Sequence, residues 1–324
     1  MVGDPMALVD GPEGADTDAM SIAEAPAATP AAAPTRSKAA AYLALTKPRI
    51  IELLLVTTVP VQVVAARGLP SGWLVLWTVL GGALAAGGAN TFNMVADRDI
   101  DTLMKRTQNR PLVTGEITPR AAMVFAFTLE VAAFALLWGT VNLLSAVLAV
   151  SATLFYVFVY TLWLKRTSTQ NIVIGGAAGA VPTLVGWSSV TGSLGWAPWV
   201  LFAVIFVWTP PHFWCLAVKY KDDYAAADVP MLPVVSSMRA VTVRIIGYTA
   251  LLWALTLVFA PVASMGAVYT VAAVVLGGAY LGLTIQLHRR PDPAKAMRLF
   301  HWSITYVTLL FGAMALDQLL AGAG

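Results

Sequence analysis

Apolar runs of bilayer-spanning length recur along this chain at 50–66, 72–95, 120–138, 141–163, 172–190, 197–218, 241–261, 266–287 and 299–321. Wound as α-helix, each run covers most or all of a hydrocarbon layer about 30 Å thick. Several contain Gly and Pro, which bilayers tolerate where neighbouring helices re-satisfy the backbone. The Gly-rich stretch GGALAAGGAN at 81–90 lies inside the second run. It matches neither a dinucleotide fingerprint nor a phosphate loop, and predicts close helix packing. The pattern as a whole predicts an all-α polytopic membrane protein with nine transmembrane helices. Residues 1–38 break it: they are Ala/Pro-rich, and the first 35 carry six acids and no base. With neither a basic start nor an apolar core, that segment reads as a disordered tail ahead of one transmembrane domain, 39–324.

Composition agrees, with 58% hydrophobic residues, only 11% charged and 11 Trp. The bases then set an orientation. Of 20 Lys and Arg, 19 fall before the first helix or after the second, fourth, sixth and eighth, and only Arg67 falls on the other side. By the positive-inside rule the N-terminus and the even connections are cytoplasmic, and nine helices put the C-terminus outside. Such a chain belongs in the plasma membrane of a prokaryote. The lone Cys215 rules out an internal disulfide, and three scattered histidines (212, 288, 301) make no zinc cluster.

Charge this scarce makes its clustering informative. NMVADRDIDTLMKRTQNRPL, at 93–112, holds three aspartates and four bases directly after the second helix. Asn93, Asp97 and Asp101 stand at i, i+4 and i+8, on one face if the helix continues, while Asp99 points the other way. Oxygen ligands at that spacing suit a hard divalent cation, above all Mg²⁺, which shares its remaining positions with water and phosphate oxygens. Lys105, Arg106 and Arg110 follow, able to grip an anion. The positive-inside rule explains the bases but not three acids or amides in register at a membrane boundary, where unpartnered carboxylates are costly. A second cluster, KYKDDYAAADVPMLPV at 219–234, follows the sixth helix on the same side. It brings Asp222, Asp223, Lys219 and Lys221, as though two similar halves faced one cavity.

The spacing N-x-x-x-D-x-x-x-D followed by M-K-R-T-x-x-R-P-L resembles the first aspartate-rich motif of the UbiA superfamily of intramembrane prenyltransferases. Four further segments are similar to its heme-farnesylating branch: LTKPRIIELLLVTTVP (45–60), YTLWLKRTSTQNIVIGGAAGAVPTLVGW (160–187), WTPPHFWCLAVKYKDDY (208–224) and VPMLPV (229–234). The resemblance runs from about residue 40 to the C-terminus. It implies a nine-helix bundle around a central cavity open to the cytoplasmic side, with Mg²⁺ as cofactor. The implied reaction moves a farnesyl group from farnesyl diphosphate to a vinyl group of heme b with addition of water, giving heme O for terminal oxidases. The partners it implies are heme b, farnesyl diphosphate and membrane lipid, with no nucleic acid; a downstream heme-modifying enzyme or oxidase assembly factor is a further candidate. Asn93, Asp97 and Asp101 would hold Mg²⁺ on the diphosphate, with Lys105, Arg106, Arg110 and Lys165 neutralising the leaving group. The chain departs from the superfamily in its second motif, since Asp223 and Asp228 are five apart rather than four. Asp223–Tyr224 matches a D-Y element of the heme branch, so Asp223 is the expected additional metal ligand, Tyr224 and Lys219 are substrate contacts, and Asp228 is a solvated loop acid.

Other residues keep more than one reading. His212, after Pro210–Pro211, is a heme contact, an iron ligand or a packed histidine; Asn171 is a helix N-cap or a diphosphate contact. Glu52 can pair with Arg49, Glu130 is mid-helix without a visible partner, and Tyr156 and Tyr160 line the cavity or belong to an aromatic belt. Three other functions compete: prenylation of another aromatic acceptor such as a quinone precursor, ion transport, and heme chaperoning without catalysis. Segment WTPPHFW argues against the first, acids at one membrane face rather than at its midplane against the second, and an intact first motif against the third.

Overall fold

The computed structural model describes residues 36–322, the side chains of 49–55 excepted. Most of the expected tail, and the Arg49–Glu52 pairing, therefore lie outside the described residues. The chain opens with α1 (Lys38–Thr46), whose N-terminus is capped by the Ser37 hydroxyl, and α2 (Pro48–Ala66), which starts on Pro48. Between them Lys47 takes a left-handed conformation, φ 51°. Next come α3 (Gly72–Ala96), the short α4 (Arg98–Asp101) and α5 (Pro119–Thr140). Then α6 (Leu143–Leu154) runs through a π-helical segment, Phe155–Leu164, into α7 (Lys165–Thr167). After α8 (Asn171–Thr191) and α9 (Trp196–Lys219), two short helices, α10 (Lys221–Ala226) and α11 (Leu232–Val235), lie in the following loop. The chain closes with α12 (Met238–Val262), α13 (Ala267–Arg289) and α14 (Pro293–Gly322).

Among the described residues there is no strand, and eight helices are long and apolar enough to span a bilayer. With α2 they form the nine expected long helices, and the protein is a multi-pass membrane protein. The last begins six residues earlier than its apolar run, at Pro293 rather than 299. Asp292 accepts the Ala294 amide at 2.9 Å, and this cap lets the basic PAKAMR segment continue as helix.

Small residues set the packing. A Cβ on Gly88 would lie 2.6 Å from the Glu130 carboxylate, and one on Gly81 2.5 Å from Leu137, so α3 meets α5 closely through its glycines. On another face, Gly82, Ala85, Ala86 and Ala89 of the same helix line an apolar cavity of about 270 Å³ shared with α2, α6, α8 and α9. The Gly-rich stretch thus packs a helix on one side and hollows the bundle on the other. Away from the cavity, buried Asp317 of α14 accepts the backbone amides of Gly266 and Tyr269 and so caps α13.

Candidate active site

The last turn of α3 and the adjoining α4 build the site. Helical bonding continues across the break, Asp97 N to Asn93 O and Asp101 N to Asp97 O both at 2.9 Å, so the three expected residues do share a face. Asp97 and Asp101 are 0% and 1% exposed. Buried charges need partners, and both are partnered, Asp97 also by Arg166 at 4.0 Å from Oδ1. Asp97 Oδ2 accepts from Lys165 Nζ at 2.5 Å and from Asn93 Nδ2 at 2.7 Å; Asp101 Oδ2 accepts from Arg110 at 2.5 Å. Burial raises the Asp101 carboxyl above its ordinary range, with the Arg110 guanidinium opposing it. The second oxygen of each carboxylate, Asp97 Oδ1 and Asp101 Oδ1, is buried and accepts no hydrogen bond among the described residues. Two half-satisfied carboxylates one turn apart fit a hard cation that brings its own water and phosphate ligands. No three Asp, Glu, His or Cys side chains converge among the described residues, so a closed all-protein cage is not what this site offers.

Asn93, expected as a metal ligand, is hydrogen-bonded through both ends of its amide. Its amide oxygen accepts from Lys47 Nζ at 2.8 Å, while its nitrogen donates to Asp97 and, at 3.1 Å, to Thr161. It orients the Asp97 carboxylate. Lys47 was not singled out by spacing, because it lies 46 residues from Asn93; its only local signal is the Lys-Pro junction at a helix start. Burial, together with Arg110 and Lys165 nearby, pushes its ammonium down to about 7. Asp99 points away as expected: its carboxylate takes two 2.7 Å bonds from Arg166, which holds it down at about 2.

The second cluster approaches over the top. Asp223 Oδ2 accepts the Arg106 backbone amide at 3.2 Å, and the Arg106 guanidinium sits 5.3 Å above the Tyr220 ring and 5.9 Å above the Tyr224 ring. Lys219 is exposed and also lies over Tyr220; Lys105 is exposed. Tyr224 is buried, and that burial raises its phenol. Asp228 is exposed and left-handed, φ 51°, a conformation Asp tolerates in a solvated turn.

The remaining candidates separate. Asn171 is the first residue of α8 rather than its cap, which is Gln170; it is fully buried, and neither polar atom has a partner among the described residues. His212 is stacked between Trp208 at 4.2 Å and Phe300 at 4.4 Å, with Nδ1 2.6 Å from Ser303 Oγ. The Ser303 hydroxyl itself donates to Phe300 O, so Nδ1–H donates to serine. Trp208, Thr209 and Phe213 face the cavity on that helix, and His212 does not. Glu130 accepts from Thr153 at 2.9 Å, the partner the sequence did not show. Tyr156 and Tyr160 line the cavity.

Buried carboxylates under a rim of bases, at the end of a helix that lines an apolar cavity inside a helical bundle, define an intramembrane enzyme for a substrate with an anionic head and a greasy tail. A profile of the UbiA prenyltransferase family matches residues 54–305, and the chain belongs to that family and is a prenyltransferase. Within it, the chain is 54% identical over 286 residues to the protoheme IX farnesyltransferase of Clavibacter michiganensis subsp. michiganensis, covering 87% of this chain and 94% of that one. The fold is shared with two solved structures at low identity. Digeranylgeranylglyceryl phosphate synthase has a TM-score of 0.73 at 15% identity, over 87% of this chain and 99% of that one. A UbiA homolog from Archaeoglobus fulgidus bound to GPP and Mg²⁺ has 0.59 at 17%, over 85% and 99%.

Proposed function

We propose that this chain transfers the farnesyl group of farnesyl diphosphate to a vinyl group of heme b, with addition of water, to give heme O. The observation that carries it is the pair of buried, half-satisfied carboxylates beside three basic side chains, at the end of a helix that lines an apolar cavity. The heme acceptor is favoured over another aromatic acceptor by the 54% identity to a protoheme IX farnesyltransferase.

Asp97 Oδ1 and Asp101 Oδ1 would hold Mg²⁺, which when bound supplies Lewis-acid charge to the diphosphate oxygens. Lys165, Arg110 and Lys47 take up the charge that builds as the farnesyl C1–O bond breaks and its electron pair leaves with diphosphate. Asn93 keeps Asp97 in register, and Asn171 offers a buried amide to a phosphate oxygen. Arg106, Lys105 and Lys219 complete the basic rim, with Asp223 and Tyr224 holding the loop that carries Arg106. The vinyl terminal carbon then bonds to C1, the positive charge passes to the carbon next to the porphyrin ring, and water adds there and releases a proton. Burial keeps water from the farnesyl cation beforehand. His212, already packed and hydrogen-bonded, supports the wall behind Trp208.

With 19 of 20 bases on the site's side, the active site faces the cytoplasm of a prokaryotic plasma membrane, the N-terminus inside and the C-terminus outside. Its product suits a downstream heme-modifying enzyme or oxidase assembly factor. The test is mass analysis of heme after incubation of detergent-purified protein with heme b, farnesyl diphosphate and Mg²⁺. The reading predicts an EDTA-sensitive gain of farnesyl plus water. Unchanged heme beside a prenylated aromatic acid would move the acceptor, and bound heme with no prenylation at all would remove the catalytic reading.

A further inference from the structure

The cavity wall on α8 runs from Ile172, next to Asn171, down to Val185, and on α3 from Asn90 back to Thr78. Its volume of about 270 Å³ lies below the ~300–1,000 Å³ that drug-sized ligands occupy. It therefore holds one prenyl chain and has no room for a porphyrin plate beside it. Just past Val185 the hollow stops at a helix crossing. A Cβ on Gly186 would lie 2.8 Å from the Thr58 carbonyl, so α8 and α2 touch there backbone to backbone.

A polar seam follows directly. Ser189 donates to the Gly186 carbonyl at 2.7 Å and accepts from Gln62 Nε2 of α2 at 2.9 Å. Ser188 donates to the Val185 carbonyl at 3.2 Å, and its hydroxyl lies 2.8 Å from that of Ser145 on α6. Asn142, the cap of α6, donates to the Ser188 carbonyl at 2.8 Å. Adjacent serines of α8 thus tie it to both neighbours at one level, and Gln62, Ser145, Ser188 and Ser189 are all buried. Two further atoms one turn apart on α2, Thr58 Oγ1 and Gln62 Oε1, are buried with no hydrogen bond among the described residues. An apolar chain end that pushed into this layer would part bonds that a membrane interior cannot replace.

We propose that this seam, with the Gly186–Thr58 crossing in front of it, is the stop that sets prenyl length at three isoprene units. The inference deepens the prenyl-transfer reading above and rests on it. Gly186 lies 15 residues past Asn171 on α8, about 22 Å along the helix axis. A diphosphate at Asn171 followed by an extended farnesyl chain fills that depth. A fourth unit has to part α8 from α2 and α6. A geranyl chain stops short and forfeits the contacts of the deep end.

The test uses the full-length protein in detergent with heme b, Mg²⁺ and geranyl, farnesyl or geranylgeranyl diphosphate, product length being read by mass. Affinities for the three thiodiphosphates, which ionise poorly, are measured beside it. Gly179 lines the cavity, and a Cβ there meets nothing within 4 Å, so Gly179→Leu is accommodated and fills the deep half. It lowers farnesyl affinity and kcat/KM about 10- to 100-fold, while geranyl keeps both within about twofold. Gln62→Ala combined with Ser189→Ala removes both partners of one seam bond together, which spares the fold an orphaned group. It raises geranylgeranyl over farnesyl about tenfold in affinity and in kcat/KM, with farnesyl itself nearly kept. Farnesyl unchanged in Gly179→Leu puts the chain elsewhere and overturns the proposal. A double variant in which all three lengths fall together, or keep their wild-type ratio, makes the seam helix packing only and overturns it too. Wild-type protein that binds farnesyl thiodiphosphate and leaves heme unchanged fails as a heme prenyltransferase, and the stop then stands or falls on the affinities. Binding of none of the three removes both readings.

Discussion

Two charged stretches on the same face of the bundle look alike in sequence and are built differently. In the first, Asp97 and Asp101 are buried; Asp101 pairs with Arg110, Asp97 pairs with Lys165 and, at 4.0 Å, with Arg166, and each keeps one oxygen without a hydrogen bond. In the second, Asp222 is exposed and Asp223 is half-buried, with Asp223 bonded to the backbone of Arg106. Desolvation separates them. A buried carboxylate that keeps an unused acceptor carries a cost that a bound cation relieves. An exposed one is satisfied by water and is free to serve as a latch. On the proposed function the metal goes to the first cluster and loop closure to the second, and this assignment can be broken from either side.

The largest effect is expected at the metal cluster. Asp97→Asn or Asp101→Asn removes one of the two carboxylates that would hold the metal, and kcat falls about 10²- to 10³-fold in a heme-product assay. Lys165→Met comes next: it leaves buried Asp97 with only the Arg166 guanidinium, 4.0 Å away, costs about 3 kcal/mol in thermal unfolding and lowers kcat about 10²-fold. At the latch, Asp223→Ala removes one hydrogen bond worth about 1 kcal/mol, giving about a fivefold rise in KM for farnesyl diphosphate with kcat nearly kept. Faster amide exchange over residues 102–117 should accompany it. Smallest is Asp99→Asn, whose carboxylate is 64% exposed, and activity stays within about twofold. The Arg166 bonds hold the Asp99 pKa at about 2, below its ordinary 3.8. That ion pair therefore supports the fold above about pH 4, and its support is lost as acid titrates the carboxyl through about 2. A stability profile that is the same with and without Asp99 over that window contradicts the pairing.

Much of this was legible in the chain. The apolar runs gave the nine long helices because spanning a bilayer leaves composition little freedom. The i, i+4, i+8 spacing put Asn93, Asp97 and Asp101 on one face because bonding continues through the Asp97 junction. What stayed hidden depends on tertiary contact or on winding. Lys47 acts on a residue 46 positions away, and Asp223 grips a loop 117 positions away. The polar partner of Glu130 is on another helix. The π turn leaves hydrophobicity unchanged, so nothing in the pattern distinguishes i+4 from i+5 bonding over 155–164. His212 is likewise set by tertiary contact: its ring is packed between two aromatic side chains and bonded to serine, partners on another helix among them.

The most direct test of the central claim is electron paramagnetic resonance of Mn²⁺, in place of Mg²⁺, with detergent-purified protein and farnesyl thiodiphosphate. The account predicts tight Mn²⁺ binding only when the diphosphate is present, abolished by Asp97→Asn and by Asp101→Asn and retained by Asp223→Ala. Undiminished binding in the Asp97 and Asp101 variants, or its loss in Asp223→Ala, would contradict the assignment of the metal to the buried pair.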